Sequence, residues 1–447
     1  MLEKIKFFIL FFIGLLPIAA QLPGTALMPL KEVKNIYGGA QSDQANAVAK
    51  TSDGGYIIAG YTESNNGDIS GNHGGQDCLV LKFNSSGILQ WQKTLGGTSS
   101  DRANSILQTS DGGYIIAGDT QSNNGDASGN HGGYDCWIIK LDSTGNIQWQ
   151  KMLGGTNDEY TNSIIQTTDG GYAIAGYTRS DDGDVSGRKG SYDFWIVKLN
   201  STGLLQWQKT LGGTSDDRAT SIIQTADGGY AVVGSITSND GDVSGFHGGV
   251  DGWIVKLTGT GTLQWQKALG GTLGENINSI IRTNDGGYAV AGFARSNDGD
   301  ASGNHGYDDF WVIKLTNTGT IQWQKQLGGT VLDRANAIIQ TSDSGYLVAG
   351  YTRSNNGDIF GNHGTDDFWV VKLTAAGYLQ SFKLLGGTSV DIANAITKIN
   401  NGNYVVTGYT YSVDGDITGQ NNGTADILMF ELDMNGNIMY FYDDTAP

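Results

Sequence analysis

An all-β fold is predicted by three features of the sequence: a long unbroken repeat, strand-like segments within each copy, and no apolar spacing typical of helices. The phrase Thr-Ser-Asp-Gly-Gly-Tyr-Ile-Ile-Ala-Gly begins at Thr51 and recurs 58 residues later at Thr109. Further copies follow at the same interval, beginning at Thr167, Thr225, Thr283, Thr341 and Ile399. Seven tandem copies indicate a repeat architecture, in which neighbouring units bury a shared core.

Each copy contains four short β segments joined by turns. In the second copy the first segment runs from Asp101 to Thr109, and Ser-Asp-Gly-Gly then leads into a second segment, Tyr114 to Thr120. Asp-Gly between two extended runs is a hairpin signal. A long polar loop precedes the third segment, Asp135 to Leu141, and a short turn separates it from the fourth, Ile147 to Leu153.

The apolar pattern orders these segments from inside to outside. The second and third segments have apolar runs with little alternation, as expected of strands covered on both faces. The fourth alternates, with Ile147, Trp149, Lys151 and Leu153, so we expect it to be outermost. The first is rich in Ala, Ser and Asn, which suits a crowded inner position. The sequence therefore predicts one seven-bladed β-propeller with four antiparallel strands per blade.

Both ends of the repeat region resemble a fourth strand. Glu32 to Tyr37 precedes the first copy, and Asn437 to Phe441 follows the seventh, where one residue is inserted before Asp426. We expect one terminal segment to complete the seventh blade beside the first, which removes the open sheet edges. The sequence leaves open which end does so.

The N-terminus has the pattern of an export signal. Lys4 and Lys6 precede the apolar run from Phe7 to Leu16, and the small pair Ala19-Ala20 follows. We therefore expect a signal peptide over 1–20, a linker over 21–31, the propeller over 32–442 and a tail over 443–447. No apolar run reaches the roughly 20 residues that a membrane span needs. The expected product is an exported monomer, extracellular or on the outer surface, with the periplasm as the alternative.

The formal net charge of −18 disfavours nucleic acids and anionic membranes as partners. It is compatible with cations, basic partners or neutral glycans. The cysteines, Cys78 and Cys136, share one position of the repeat, and other copies have phenylalanine there. We interpret both as small buried hydrophobic residues and not as a disulfide or redox pair.

Three phrases resemble the bacterial β-propeller repeats of secreted proteins known as SBBP-type repeats. They are Gly171-Tyr172 to Gly176, Asp193 to Leu199 with Gly203, and Leu211-Gly212-Gly213. The resemblance covers roughly residues 32–442. It implies an exported and often surface-exposed propeller, and it carries no catalytic residue.

Several residue types recur once per copy and form candidate sites. The ten tryptophans fall in two registers, which indicates either a glycan platform or, as we favour, blade-to-blade packing. One aspartate recurs in the long loop and indicates either calcium binding or turn capping: Asp68, Asp126, Asp184, Asp242, Asp300, Asp358 and Asp416. A carboxylate starts every first segment near the expected channel mouth, where it could bind an axial cation or backbone N–H groups: Asp43, Asp101, Glu159, Asp217, Glu275, Asp333 and Asp391. All five histidines share one loop register, for which loop hydrogen bonding is the favoured interpretation.

Departures from the repeat are candidate ligand contacts, because a site needs residues that only one or two copies carry. Phe246 and Phe360 replace Asn and Ser, Arg188-Lys189 forms a basic spot, and Tyr160 replaces Arg. Neutral drift within the array is the alternative.

Two enzyme motifs are matched only in part. Leu141 to Trp149 resembles the tryptophan-docking motif of quinoproteins, but the adjacent-cysteine pair is missing. Thr109 to Gly113 resembles part of a sialidase Asp-box, without its terminal aromatic residue. We therefore predict a non-catalytic binding or scaffold module for a protein or glycan, with no cofactor beyond an optional Ca²⁺. The alternatives are a calcium-dependent structural or adhesive module and a quinoprotein-like oxidoreductase.

Overall fold

Seven antiparallel sheets form a closed ring in the computed structural model, which describes residues 31–32, 35–417, 421, 424–433, 436–439 and 442–443. The predicted seven-bladed β-propeller is confirmed, with four strands to a blade and no helix among the described residues. The first strands contact one another around the central axis, and the seventh closes onto the first. Blades are numbered here in chain order.

The strand bounds repeat with the 58-residue period. The first strands are Asp43–Lys50, Asp101–Gln108, Glu159–Gln166, Asp217–Gln224, Glu275–Arg282, Asp333–Gln340 and Asp391–Lys398. The second strands are Tyr56–Thr62, Tyr114–Thr120, Tyr172–Thr178, Tyr230–Ile236, Tyr288–Ala294, Tyr346–Thr352 and Tyr404–Thr410. The third strands are Asp77–Phe83, Asp135–Leu141, Asp193–Leu199, Asp251–Leu257, Asp309–Leu315, Asp367–Leu373 and Asp426–Leu432. The fourth strands of blades 1 to 6 are Leu89–Leu95, Ile147–Leu153, Leu205–Leu211, Leu263–Leu269, Ile321–Leu327 and Leu379–Leu385.

Burial explains the order of the strands. Every residue of every third strand is buried, as the uninterrupted apolar runs predict. The fourth strands are largely half-buried or exposed, because only one neighbour and the adjoining blade cover them. The inside-to-outside order inferred from the apolar pattern is therefore the observed one.

Both ends of the chain complete the seventh blade, where we expected one. Ile36–Tyr37 pairs with Leu428 and Ile427 of the third strand, and Ile438–Met439 pairs with its other half at Leu432 and Glu431. Each segment contributes only two paired residues, so neither covers the strand alone. A further two-residue pairing joins Lys31–Glu32 to Tyr442–Asp443.

A bulge in each first strand links every blade to the next. The register shifts at Asn46 in blade 1, and the side-chain amide of Asn46 donates to Ala103 O of blade 2 at 3.0 Å. Extra residues at bulges redirect a side chain in this way. The equivalent bond recurs from Asn104, Asn162, Asn278, Asn336 and Asn394, the last donating to Ala45 O of blade 1. In blade 4 the donor is the hydroxyl of Thr220. These seven bonds form a complete ring.

Tryptophan ladders pack the blades together, as the favoured interpretation predicted. The third-strand tryptophans are fully buried, and Trp253 meets Phe194 of the preceding blade with ring centroids 4.8 Å apart. The fourth-strand Trp149 covers the following blade's turn. A Cβ on Gly203 (φ +81°) would lie 2.9 Å from that indole, so the turn requires glycine there.

A buried lysine on the third strand anchors the hairpin turn of blades 1 to 6. Lys82 Nζ donates to Asp53 Oδ2 at 2.8 Å and to Phe83 O at 2.7 Å. Blade 7 reverses the polarity: Glu431 takes the lysine position and accepts bonds from the amides of Asn401 and Asn403. A buried charge needs hydrogen-bonding partners. The turn therefore has an aspartate where the third strand has lysine and asparagines where it has glutamate.

The predicted signal peptide (1–20) and most of the predicted linker (21–31) and tail (443–447) lie outside the described residues. Within the described part of the chain, no helix is long and apolar enough to cross a bilayer.

Candidate binding rim at the axial mouth

Four positions in each blade converge around the central axis on the face of the long loops. They are the second residue of the first strand, the residues before and after the last residue of the second strand, and the residue preceding the third strand. Backbone pairing places them side by side, since Tyr160 lies opposite Tyr177, and Thr178 lies opposite Asp193. We call these positions the axial rim.

The rim is where the blades differ most in chemistry. Six of the chain's arginines occupy it: Arg102, Arg179, Arg218, Arg295, Arg334 and Arg353. The aromatic residues at the same positions are Tyr61, Tyr134, Tyr160, Tyr177, Tyr192, Phe293, Tyr351, Tyr409 and Tyr411. By contrast, the buried carboxylate that opens each first strand hardly varies. The rim therefore has the asymmetry that a specific ligand requires.

Blades 1 to 4 carry a continuous aromatic arc. Tyr134 of blade 2 meets Tyr160 of blade 3 with ring centroids 5.2 Å apart, and Tyr160 meets Tyr177 at 5.1 Å. Tyr192 closes the cluster, 5.4 Å from Tyr177. These tyrosine side chains are half-buried, so the cluster as a whole is accessible from solvent.

Two arginines lie against the rings of this cluster. The Arg102 guanidinium lies 5.8 Å from the Tyr61 ring and 5.7 Å from the Tyr134 ring. Arg218 lies 4.9 Å from Tyr192. Cations over ring faces are attracted by the negative π-surface. Arg102 also donates from Nε to Gln76 Oε1. We call Tyr61, Arg102, Tyr134, Tyr160, Tyr177, Tyr192 and Arg218 the aromatic arc.

Blades 5 and 6 carry an arc of ion pairs instead. Asp308 is fully buried and lies between Arg295 at 2.8 Å and Arg334 at 2.6 Å. Arg353 pairs with Asp366 at 2.8 Å. We call these five residues the ion-paired arc.

Burial shifts the acidity of several rim groups. It raises the pKa of Tyr177 to about 12 despite the opposing field of Arg218. The pKa of the Asp119 carboxyl rises from 3.8 to about 7, because burial outweighs the field of Arg102 and the Asn104 hydrogen bond. Asp119 Oδ1 accepts that bond at 2.7 Å, whereas Oδ2 has no hydrogen-bond partner among the described residues.

Two recesses of about 230 Å³ each border the rim. One is lined by Glu63, Gln76 and Arg102 between blades 1 and 2. The other is lined by Phe293, Arg295 and Asp308 between blades 4 and 5. Each combines hydrogen-bond donors with a carboxylate, so each can bind both hydrogen-bond acceptors and hydrogen-bond donors.

The carboxylates of the predicted acidic ring bind backbone N–H groups, one of the two roles expected of them. Each of its seven carboxylates is buried and accepts a hydrogen bond from a glycine N–H of the preceding crossover, at 2.7 or 2.8 Å. Asp217 also accepts from Ser238 Oγ at 2.7 Å. Burial raises the pKa of Asp217, and these bonds partly oppose the rise. The geometry is that of a latch between blades.

The crossover glycines lie close to these carboxylates. A Cβ on Gly96 would lie 2.6 Å from Asp101 Oδ2 and 2.9 Å from Asp77 Oδ1. Only glycine lets the backbone approach two buried carboxylates so closely. This contact explains the first glycine of the Leu-Gly-Gly phrase that ends the first six copies.

The loop aspartates predicted for calcium or turn capping also contact the crossover. Asp126 N donates to Gly96 O at 2.8 Å, and its Oδ2 accepts from Gly96 N at 3.3 Å. The backbone bond is present in all seven blades. No group of three or more His, Cys, Asp or Glu side chains in the described part of the chain could hold a metal ion.

The histidines bind within their own loops. His131 Nδ1 lies 2.6 Å from Asp135 Oδ2, and the other four repeat this pairing. The structure therefore separates the five histidines, one to a blade.

Of the predicted ligand contacts, only Tyr160 lies on the rim. Phe246 is partly buried against the core of blades 3 and 4. Lys189 pairs with Asp242 of the next blade at 2.6 Å, and Arg188 donates to Gly190 O. Arg188 and Lys189 share the long loop of blade 3, and Phe246 lies in the long loop of blade 4.

Phe360 belongs to a paired replacement on the outside of blade 6. Elsewhere a loop serine contacts a fourth-strand glutamine, as in Gln324 Nε2 to Ser302 Oγ at 2.6 Å. In blade 6 both are phenylalanine, Phe360 and Phe382, with ring centroids 5.1 Å apart. The glutamine elsewhere accepts the indole N–H, so Trp369 Nε1 is left without a partner among the described residues.

No protein-family model matches the chain, so SBBP-type membership stays a resemblance. The regulatory protein FlaEY of Caulobacter vibrioides is 24% identical over 200 residues, which cover 40% of this chain. The match spans 20% of that protein's length.

Solved β-propellers share the fold at low sequence identity. A puromycin hydrolase gives a TM-score of 0.52 at 12% identity, over 92% of this chain and 55% of that one. The WD40 domain of Neurospora crassa Pan2 gives 0.48 at 10% identity, over 89% and 91% of the two chains. At these identities the likeness is one of fold alone.

Proposed function

We propose that this protein is an exported, non-catalytic binding module that holds a protein or a glycan at its axial rim. The observation that carries the proposal is the concentration of blade-specific tyrosine and arginine residues at one mouth of an otherwise repetitive ring. Export is inferred from the basic and apolar pattern of residues 1–20.

The chemistry of the rim supports binding. Tyr and Arg are the residue types enriched at binding hot spots, because they combine a large apolar surface with hydrogen-bonding groups. The rim residues sit on strand ends, and the blades behind them are densely packed. Sites on rigid elements lose little conformational freedom when a ligand binds.

Binding is favoured over catalysis because the reactive groups repeat with the blades and already have structural partners. Burial raises the pKa of the Cys78 thiol far above its ordinary value, which disfavours a nucleophilic thiolate. The His–Asp pairs recur in five blades, as a loop clamp would. A single catalytic centre would need them in one place.

The test is capture of partners from the cell surface and the culture medium by mature protein. The Tyr160→Ala/Tyr177→Ala variant should lose the captured species that the wild type retains. The matched control is Tyr378→Ala, because Tyr378 is 72% exposed and lies in a turn on the opposite face. Equal capture by all three proteins would contradict a rim site.

Export is tested separately by fractionating cells that express the whole chain. We expect the protein outside the cytoplasm with residues 1–20 removed. A full-length cytoplasmic product would contradict export without touching the rim.

A further inference from the structure

We infer that the ligand of the aromatic arc is a neutral oligosaccharide, an inference that rests on the proposed function and specifies its ligand class. Three properties of the rim lead to this class: contiguous ring faces, balanced charge, and confinement of the blade-specific chemistry to a small area.

The tyrosines of the aromatic arc form one contiguous group. Tyr134, Tyr160 and Tyr177 are linked by centroid distances of 5.2 and 5.1 Å and retain solvent-facing surface. The face of a pyranose ring presents C–H groups with partial positive charge, which complement the negative face of an aromatic ring. A row of adjacent tyrosines can therefore support successive sugar rings.

The charges beside these rings are mixed. Arg218 lies 2.9 Å from Asp216, and both side chains are substantially exposed. Arg102 lines a recess together with Glu63 and Gln76. A hydroxyl group both donates and accepts, so a polyol can satisfy arginine and carboxylate together. A ligand of one charge sign would be repelled by half of these groups.

The net charge of the molecule also favours a neutral ligand. At −18 the chain repels polyanions over the surface surrounding the rim. A polycation would be attracted in general, but the arginines at the rim would oppose it locally. A neutral ligand avoids both costs.

The confined area favours a small ligand over a folded protein. The long loops around the rim begin with nearly the same phrase in every blade, such as Ser122-Asn-Asn-Gly-Asp and Ser354-Asn-Asn-Gly-Asp. A stable protein interface covers about 800 Å² per partner and would extend over these repetitive loops. The distinctive side chains fit a ligand that stays within the mouth, beside recesses of about 230 Å³.

The inference is tested by binding of the mature chain to an array of neutral gluco-, manno-, xylo- and galacto-oligosaccharides, each beside a uronate counterpart of equal length. We expect a neutral member to bind, with at least tenfold loss in Tyr160→Ala. Tyr160→Phe should retain binding, because the ring face is preserved, and so should the control Tyr378→Ala. Circular dichroism of each variant checks its fold.

Three outcomes would overturn the inference. Stronger binding of uronates would assign an acidic glycan, and neutral binding that survives Tyr160→Ala would place the sugar elsewhere. If no array member binds, any partner captured at the rim is oxidised with periodate, and continued capture assigns a protein. That last result leaves the proposed rim function standing, whereas loss of both array binding and rim-dependent capture removes both.

Discussion

The aromatic arc and the ion-paired arc occupy the same positions of the repeat, yet the carboxylates that pair with their arginines differ in burial. Ring contacts do not separate the two arcs, because Arg334 lies 4.4 Å from the Phe293 ring. In blades 5 and 6, Asp308 fixes Arg295 and Arg334, and Asp366 fixes Arg353. In blades 2 and 4, Arg102 and Arg218 lie over tyrosine rings. The first arrangement uses the charges for internal cohesion. The second leaves an exposed ion pair and half-buried tyrosines at the rim.

This difference teaches that one repeat can supply both a brace and the proposed binding surface without changing its backbone. Substituting a few strand-end residues decides which role a blade takes. An ion pair of the brace should therefore contribute more to stability than the exposed ion pair beside the aromatic arc.

The largest effect is expected at Asp119, beside the aromatic arc. Its folded pKa of about 7 exceeds the ordinary 3.8, so ionisation destabilises the folded state as pH rises from about 4 to 7. At about 1.4 kcal/mol per pKa unit, the cost between pH 5 and pH 8 is about 3 kcal/mol. Asp119→Asn should remove it. Urea unfolding of both proteins at the two pH values measures the difference.

Other buried carboxylates with raised pKa values act in the same direction, so the wild-type protein alone is not informative. The relevant quantity is the pH effect in the wild type minus that in the variant. An identical pH effect in both proteins would contradict the assignment to Asp119.

A smaller effect is expected from removing the brace. Asp308→Ala leaves Arg295 and Arg334 without their shared carboxylate, and both guanidinium groups are partly buried. Unpairing fully buried charges costs 3–5 kcal/mol, and solvent screening should reduce this to about 2 kcal/mol. Denaturant unfolding at neutral pH measures the loss.

The matched control is Asp216→Ala beside the aromatic arc. Its pair with Arg218 is exposed on both sides, so we expect a change of less than about 1 kcal/mol. Equal losses in the two variants would show that the arcs do not differ as proposed.

The smallest effect is expected from calcium removal. The loop aspartates contact crossover glycines through hydrogen bonds of the protein itself. We therefore expect EDTA and added calcium to leave the melting temperature unchanged by calorimetry. A higher melting temperature with calcium would support the calcium-dependent alternative. Calcium would then stabilise both arcs alike.

Much of the fold could be predicted from one copy of the repeat. The predicted segments Tyr114 to Thr120, Asp135 to Leu141 and Ile147 to Leu153 coincide with strands, because turn residues and apolar runs act locally. The shared closure of blade 7 could not be predicted. Two-residue pairings such as Ile36–Tyr37 depend on which tertiary neighbour is free.

The rim was missed for a different reason. The sequence drew attention to rare residues in long loops, such as Phe246 and Phe360, where a departure is conspicuous. At the rim the variation is spread over four positions of each copy and resembles drift. A usable signal was present: those four positions flank the ends of three strands, and the propeller topology brings these ends to one mouth.

The ring of side-chain hydrogen bonds from Asn46 to Asn394 closes on itself. The bond that joins blade 7 to blade 1 is the same bond that joins every other pair of blades. The seam of the molecule is therefore confined to its outer edge, where Ile36–Tyr37 and Ile438–Met439 meet the same strand. A circular permutant opened at another outer turn, with the present ends joined, should keep this inner ring of hydrogen bonds intact.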